Sequence, residues 1–381
     1  MPEGYVAPGY EPVREAFERN FAEHGELGAA FAASRRGEPV VDLWGGLADR
    51  ASGRPWQQDA LQLIYSGTKG MVALCVLMLI DRGKLGLSDP VSRHWPEFGK
   101  PEILVRHIVS HTARMPGIDV PVTVADLRDD KQMAALLAAQ APSPDPRAAF
   151  CYHALTYGWL CGELVRRVDG RSIGRFFADE VAGPLDVEFW IGLPAEEEPR
   201  VTTLELAPDW GANAKRSPED FARDPLLKSV WGNPLIFDRA TFFWNEPAVH
   251  ACEMPGASGI GTARAVAKIY DVLATGGAPL LSAETLRLGR TVLADGYDAL
   301  HEEHRRFGVG FQLQTEVMNY GPPADAFGHG GAGGSSHAAW PSLGVGYSYA
   351  MNLMRDGQRP DPRPKALLDA LHACVTMEES A

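Results

Sequence analysis

Residues Met71 to Ile80 form an unbroken run of ten apolar side chains, the longest in the chain. A helix that crosses a bilayer needs about 20 such residues, so this run is too short to span a membrane. Because the run is apolar on every face, a helix formed here is stable only where protein surrounds it on all sides. The run therefore predicts a helix buried in the core of a sizeable globular domain.

The chain is long enough to build such a core. It has 381 residues, of which 45% are hydrophobic, and a chain of this size buries most of its apolar surface on folding. The length alone is compatible with two or three domains, or with one catalytic unit that carries a large insertion.

Charge and cysteine content argue against several classes of partner and site. The 49 acidic side chains outnumber the 36 basic ones, which gives a net charge of −13. Nucleic acids and anionic membrane surfaces are therefore not expected partners. The N-terminus lacks the basic start and apolar stretch of a secretory signal, and the five cysteines are scattered without C-x-x-C spacing. We expect a cytoplasmic protein with neither a disulfide framework nor a zinc site.

Strand-like patterns occur near both ends of the chain, and helical patterns lie between them. Two strand segments joined by a turn lie within residues 27–44, and further short segments lie between residues 307 and 352. From about residue 66 to residue 170 the apolar spacing is helical. This order predicts an α+β fold with one sheet built from both ends of the chain and a helical domain inserted in the middle.

The predicted domain boundaries follow from this order. Residues 1–60 and 255–381 form the discontinuous sheet domain, and residues 61–254 form the inserted, mainly helical domain. The last part of the insertion, residues 190–255, holds four of the nine tryptophans. This Trp-rich segment is predicted to be partly irregular and to contribute to a substrate pocket.

Ser66 and Lys69 stand where the buried helix begins. Residues three apart on a helix share a face, so the Lys69 amine can lie beside the Ser66 hydroxyl and act as its base. The helix N-terminus also directs the positive end of the helix dipole toward developing negative charge. The alternative is structural, with Ser66 as a helix cap and Lys69 as a solvated side chain of the first turn.

Further motifs follow in an order that resembles the serine β-lactamase and penicillin-binding protein superfamily. The resemblance is to the branch that holds class C β-lactamases, D,D-peptidases and family VIII carboxylesterases, and it spans nearly the whole chain. The motifs that carry it are Ser66 to Lys69, His111 to Gly117, Tyr152-His153-Ala154, and the glycine-rich run Gly328 to Ser335, in which His329 to Gly331 takes the place of Lys-Thr-Gly. The resemblance implies an antiparallel sheet flanked by the terminal helices, with an inserted helical domain that carries Ser66.

The resemblance also implies the roles of the site residues. Ser66 is the acyl-accepting nucleophile, and Lys69 and Tyr152 together take its proton and return one to the leaving group. The backbone N–H groups of Ser66 and Ala332 form the oxyanion hole. Neither a metal nor an organic cofactor is implied. The expected substrate contacts are His329, Gly330, Gly331, His153 and Trp340, although Trp340 is equally suited to packing the sheet.

Two departures from the family pattern bear on the substrate. Ala154 stands where β-lactamases have Asn, and His329 stands where they have Lys, so an amide and a fixed cation are both missing. Both changes are compatible with the esterase branch. The expected function is therefore a serine carboxylesterase that forms an acyl-enzyme with small or medium esters. The alternatives are a transacylase with an alcohol or amine acceptor, a β-lactamase or D,D-peptidase, and an inactive ligand-binding homologue.

Two other features have structural interpretations. The run His301-Glu302-Glu303-His304 lacks the H-E-x-x-H zinc spacing, and it is expected to be solvated surface. Ser258 lies in a Gly-Ala-Ser-Gly-Ile run that lacks the last glycine of a nucleophile elbow, so a turn or a cap is expected there.

Overall fold

A computed structural model describes residues 2–211, 217–356 and 360–380 of the chain. Residues 1, 212–216, 357–359 and 381, which fall in the predicted sheet domain or the Trp-rich segment, lie outside the described residues. The strands are β1 (Glu3–Val6), β2 (Gly28–Arg35), β3 (Glu38–Asp49), β4 (Arg54–Pro55), β5 (Gln62–Leu63), β6 (Phe189–Ile191), β7 (Glu205–Leu206), β8 (Gly259–Gly261), β9 (Ala294–Asp298), β10 (Glu303–Phe307), β11 (Gln312–Leu313), β12 (Phe327–Gly330), β13 (Ser336–Trp340), β14 (Val345–Met351) and β15 (Leu353–Met354).

The helices are concentrated between β5 and β9. They are α1 (Glu11–Glu23), α2 (Thr68–Asp81), α3 (Val91–His94), α4 (Val105–Val109), α5 (Val124–Leu127), α6 (Asp130–Ala139), α7 (Thr156–Asp169), α8 (Ile173–Phe177), α9 (Gly183–Leu185), α10 (Pro218–Arg223), α11 (Pro225–Trp231), α12 (Pro247–His250), α13 (Ala263–Ala274), α14 (Ala283–Gly289) and α15 (Pro362–Ser380). In the described parts of the chain, none of them combines the length and the apolar character that a membrane crossing requires.

One large antiparallel sheet is built from the two ends of the chain. Its strands lie in the order β1-β3-β2-β14-β13-β12-β11-β10-β9, with β4 paired to β3. The terminal helices α1 and α15 pack against each other and share an apolar cluster with one face of this sheet, while α13 packs on β2, β13 and β14. The α+β architecture predicted from the motifs is confirmed. The domain boundaries at residues 60 and 255 stay a prediction.

Helix α2 is the buried helix that the apolar run predicts. Its residues Met71 to Leu79 are at most 2% exposed, and it contacts α7, α8, α14 and β12. Strand β5, an edge strand of the small sheet β5-β8-β6, lies directly before it in the chain, and the N–H of Ile64 donates to the carbonyl of Gly259 at 3.0 Å. These contacts fix the direction in which the chain enters α2.

A buried ionic cluster joins α15 to the sheet. The guanidinium of Arg363 is fully buried, lies 3.2 Å from the buried carboxylate of Glu26 and binds Asp361 at 2.8 Å. It also donates to the carbonyl of Gly333 at 2.8 Å, in the loop of residues 330–334, which we call the glycine loop. Burial raises the pKa of Glu26, while the Arg363 charge opposes that rise. The cluster therefore ties the C-terminal helix to the loop that follows β12.

Replacing Arg363 with methionine should destabilise the fold strongly, because it leaves the buried Glu26 carboxylate without its cation. We expect a loss of about 3–5 kcal/mol in the free energy of unfolding, measured by urea denaturation. Arg19→Met is the matched control, because Arg19 pairs with Glu15 on an exposed face of α1 and should change stability by no more than about 0.5 kcal/mol. Equal losses in the two variants would contradict a structural role for the cluster.

Candidate active site

Ser66 lies in a 3-10 turn, Tyr65–Gly67, immediately before α2. Helical spacing brings Lys69 onto its face, and the Lys69 Nζ lies 3.0 Å from the Ser66 Oγ. The same amine donates to the carbonyls of Ala154 and Gly256, at 2.7 Å each. Lys69 is 0% exposed, and the side chain of Ser66 does not cap α2. The structural alternative, a cap and a solvated lysine, is therefore wrong.

The surroundings of Lys69 favour its neutral form. Burial, together with the nearby charge of Arg305, holds the pKa of the Lys69 amine well below its usual range. A neutral amine has two N–H donors and one lone pair. The two donors match the carbonyls of Ala154 and Gly256, and the lone pair then faces the Ser66 hydroxyl. Lys69 is thus placed to accept the serine proton.

Tyr152 lies beside this pair and contacts several charged or polar groups. Its ring centroid is 4.8 Å from the Lys69 Nζ and 4.6 Å from the guanidinium carbon of Arg305. Its hydroxyl lies 3.4 Å from the His329 Nε2, and its backbone N–H donates to Asp298 at 2.9 Å. The structure therefore brings Ser66, Lys69 and Tyr152 together, as the sequence motifs predict.

His329 is a neutral hydrogen-bonding group in this site. Burial, with the Lys69 charge as the next cause, lowers its pKa well below the usual histidine range. Its Nδ1 lies 2.7 Å from the carbonyl of Gly330, which assigns the ring proton to Nδ1 and leaves Nε2 as an acceptor toward the Tyr152 hydroxyl. A histidine at this position thus supplies an acceptor rather than a cation.

The glycine loop packs closely against the backbone that precedes Ser66. A Cβ on Gly331 would lie 2.2 Å from the carbonyl oxygen of Ile64, so only glycine permits this approach. Ser66 and Ala332 both line the pocket. In the described parts of the chain, neither of their N–H groups donates a hydrogen bond. Both N–H groups are therefore available as donors to a ligand, which is what an oxyanion hole requires.

Replacing Gly331 with alanine should slow the reaction, because the new methyl group forces the glycine loop away from Ile64 and moves the Ala332 N–H. Loss of one oxyanion donor costs about 10²- to 10³-fold in kcat, and we expect Gly331→Ala to approach that range in steady-state ester hydrolysis. A Cβ on Gly330 would meet only the Ser335 carbonyl, at 3.2 Å. Gly330→Ala should therefore have the smaller effect, and the reverse order would contradict this account of the loop.

The pocket in front of Ser66 has a volume of about 470 Å³. Its apolar wall comes largely from the Trp-rich segment, and Tyr65 packs edge to face against Phe237 and Trp244. The aromatic and aliphatic side chains of this wall are Tyr65, Leu155, Trp210, Trp231, Ile236, Phe237 and Trp244. The Trp-rich segment therefore lies against the candidate nucleophile.

Two expected substrate contacts are corrected by the structure. His153 is 0% exposed, binds the Cys151 carbonyl through Nδ1 and accepts the Met115 N–H through Nε2. Trp340 is also 0% exposed and donates to the Tyr320 carbonyl at 2.6 Å. It packs with Tyr347 in the cluster beneath the terminal helices, on the sheet-packing side. Neither residue lines the pocket, whereas His329, Gly330 and Gly331 do.

The segment that follows β9 holds pocket residues that the sequence analysis missed. His301, Glu303 and Arg305 line the pocket, so the expectation of solvated surface is wrong for His301 and Glu303. It holds for Glu302 and His304, whose side chains are exposed to solvent. The His301 Nδ1 pairs with the buried Asp298 at 2.8 Å. Burial alternates along β10, where Arg305 and Phe307 are buried and Arg306 is not. The sequence shows no such alternation, because residues 303–306 are all polar or charged, and Phe307 is the one apolar signal of an inward face.

Ser258 is buried and structural, as the sequence predicts. Its hydroxyl lies 3.1 Å from the carbonyls of Cys252 and Met254 and accepts the Met254 N–H at 2.9 Å. It therefore stabilises the turn before β8 and is not among the pocket residues.

Comparison with known proteins agrees with this geometry. A family model described as Beta-lactamase matches residues 13–372. The protein "Esterase/beta-lactamase LipL" of Mycobacterium tuberculosis is 33% identical over 367 residues, which cover 92% of this chain and 83% of that protein. The solved structure of a family VIII carboxylesterase superposes on this chain with a TM-score of 0.88, and the two sequences are 37% identical. The structure of a penicillin-binding protein homologue from Caulobacter crescentus also superposes with a TM-score of 0.88, and its sequence is 35% identical. Both alignments cover 98% of this chain and 100% of the other.

Proposed function

Because the chain belongs to the β-lactamase family, and is a serine hydrolase of its ester-cleaving branch, we propose that Ser66, Lys69 and Tyr152 carry out ester hydrolysis through an acyl-enzyme. The family resemblance and the enzyme class expected from the motifs are thereby confirmed. The residue roles rest mainly on one observation, the buried Lys69 amine 3.0 Å from the Ser66 hydroxyl. The substrates are small-molecule esters.

The first half-reaction transfers the acyl group to the enzyme. The Lys69 lone pair takes the Ser66 proton while the serine Oγ bonds to the ester carbonyl carbon. The carbonyl oxygen gains the displaced electron pair, and the N–H groups of Ser66 and Ala332 stabilise its negative charge. The C–O bond to the alcohol then breaks. The Tyr152 hydroxyl gives its proton to the departing oxygen and takes up the proton held by Lys69. This relay is supported by the position of Tyr152, which lines the pocket with its ring beside Lys69.

The second half-reaction releases the acid. Water gives its proton to the Tyr152 and Lys69 pair as its oxygen bonds to the acyl carbon. The same two N–H groups hold the second tetrahedral intermediate, and the Ser66 Oγ leaves with the returned proton. Each residue ends in its starting protonation state, so the cycle consumes one water and one ester.

The pocket supports small to medium esters. Its volume of about 470 Å³ lies in the lower half of the range for small-molecule sites, and its wall of tryptophan and phenylalanine suits an apolar acyl chain. The test is a series of p-nitrophenyl acetate, butyrate, hexanoate and octanoate. We expect turnover of the series with a maximum in kcat/KM at an intermediate chain length. The absence of turnover for every member would overturn the proposal.

Transfer of the acyl group to an alcohol or amine is the second candidate. The aromatic wall beside Ser66 supports it, because a wall that excludes water lets an apolar alcohol compete for the acyl-enzyme. Product analysis with added butanol separates the two outcomes. Butyl ester in place of free acid would identify a transacylase, and free acid alone would identify a hydrolase.

We place the protein in the cytoplasm. All five cysteines are free thiols, and four of them are buried, as is typical of a protein that folds in a reducing compartment.

A further inference from the structure

Arg305 is a charged side chain in the pocket that the proposed reaction does not use. It lies on β10. The next residue on that strand, Arg306, points away from the pocket and pairs with Asp295. Arg305 itself lines the pocket and is 5% exposed. Its guanidinium carbon is 4.6 Å from the ring centroid of Tyr152. It therefore stands at the reacting centre rather than at the pocket mouth.

The guanidinium of Arg305 is short of acceptors. It carries five N–H donors, yet within residues 2–211, 217–356 and 360–380 it donates no hydrogen bond, and its Nε is buried without an acceptor. The neighbouring carboxylate of Glu303 is 3.6 Å from that Nε, beyond hydrogen-bond distance. Of the other lysine and arginine side chains that line the pocket, Lys365 pairs with Asp369. Arg355 donates to the carbonyl of Gly25 at 3.3 Å, although its Nε also lacks an acceptor in the described parts of the chain. A buried donor group with no acceptor is costly unless a ligand completes it.

Arg305 also brings a lasting positive charge to the side of Tyr152. The pKa of Lys69 and the pKa of His329 are both lowered by burial, so neither is a dependable cation. A guanidinium group, unlike an amine or an imidazole, is in general always charged in proteins. Its planar fork matches the two oxygens of a carboxylate.

We propose that Arg305 binds a carboxylate of the substrate, so that the preferred esters carry a negative charge as well as the ester group. The inference rests on the proposed function, because it concerns the substrate of the same site. The Glu303 carboxylate faces the Nε edge of the guanidinium, and the two Nη groups remain as donors to the ligand. The apolar wall on the other side of the pocket then holds the uncharged part of the ester.

Two matched substrate pairs test the inference. Mono-p-nitrophenyl adipate and p-nitrophenyl hexanoate differ by a carboxylate at the end of the acyl chain. The 4-carboxyphenyl and phenyl esters of butyric acid differ by a carboxylate on the leaving group. In Arg305→Gln, the ratio of kcat/KM for the charged member to kcat/KM for the neutral member should fall about 10- to 100-fold in at least one pair. Arg305→Lys should recover part of the loss.

Arg306→Gln is the matched control. It removes a neighbouring arginine from the same strand, and it should leave the ratio of charged to neutral rates unchanged in both pairs.

Equal loss for charged and neutral esters in Arg305→Gln would overturn the inference and assign Arg305 to the support of Tyr152. No change in either ratio would overturn it as well. These outcomes differ from failure of the proposed function, in which the wild-type protein hydrolyses neither p-nitrophenyl hexanoate nor any other ester. If Arg305→Gln does not fold, the same ratios measured in Arg305→Lys decide the question.

Discussion

Replacing Ser66 with alanine should lower the turnover of p-nitrophenyl butyrate by about 10⁴-fold or more. The substitution removes the hydroxyl that lies 3.0 Å from the Lys69 amine, so no acyl-enzyme forms. Lys69 keeps its contacts with the carbonyls of Ala154 and Gly256, and the fold should therefore be retained. Initial rates give the loss, and the mass of the intact protein after treatment with a fluorophosphonate shows whether a covalent adduct still forms.

The control for this experiment is Ser258→Ala. Ser258 is a buried serine whose hydroxyl bonds only to nearby backbone groups, and it is not part of the pocket. The Ser258→Ala protein should still gain the mass of one fluorophosphonate adduct, whereas Ser66→Ala should gain none. A labelled Ser66→Ala protein that retains its activity would show that another residue is the nucleophile.

Replacing Lys69 with methionine should produce the second large loss, about 10²- to 10⁴-fold in kcat/KM. Methionine has a similar length and no basic atom, so the Ser66 proton has no acceptor at that position. The control is Lys268→Met, because the Lys268 amine also donates to a backbone carbonyl, that of Leu185, but lies outside the pocket. Lys268→Met should hydrolyse the ester at close to the wild-type rate. A similar rate for Lys69→Met would contradict the proposed base.

The pH dependence of the wild-type reaction also tests whether Lys69 is the base, because the pKa of its amine is shifted downward. Only the neutral amine can take the serine proton, so kcat/KM should rise with pH through the pKa of Lys69 and then level off. Because burial lowers that pKa well below its usual range, the rise should be complete well below pH ~10.4, the value for an unperturbed lysine. Rates measured in a buffer series on p-nitrophenyl butyrate provide the curve. A midpoint near the ordinary lysine value would contradict a buried, neutral amine.

Local patterns predicted some parts of the site and not others. The proximity of Ser66 and Lys69 follows from their spacing at the start of one helix, and the burial of α2 follows from a run that is apolar on every face. The order of the motifs, through the family resemblance, also predicted that Tyr152 and the glycine loop lie at the same site. His153 and Trp340 were assigned to the pocket because they lie beside motif residues in the chain. On β13, however, alternate side chains point to opposite faces of the sheet, and Trp340 faces the terminal helices.

Arg305 is a pocket residue that the sequence analysis did not single out. Its segment is rich in charged residues, which is typical of solvated surface, yet β10 turns Arg305 and Phe307 inward and pairs with β9 and β11. Whether a charged strand residue faces water or a pocket depends on what covers that face of the sheet. Here the cover includes Tyr152 and Trp231, which come from distant parts of the chain.

The sequence by itself therefore determined the fold class, the family and the pairing of the candidate nucleophile with its base, because these depend on short-range periodicity and on the order of motifs. Only the tertiary structure decided the direction in which the pKa values of Lys69 and His329 shift, the shape of the aromatic pocket and the position of Arg305. Those properties depend on burial, and on charges and donors brought together by long-range packing. A pKa or a pocket wall is set by every group within a few ångströms, whatever its position in the chain.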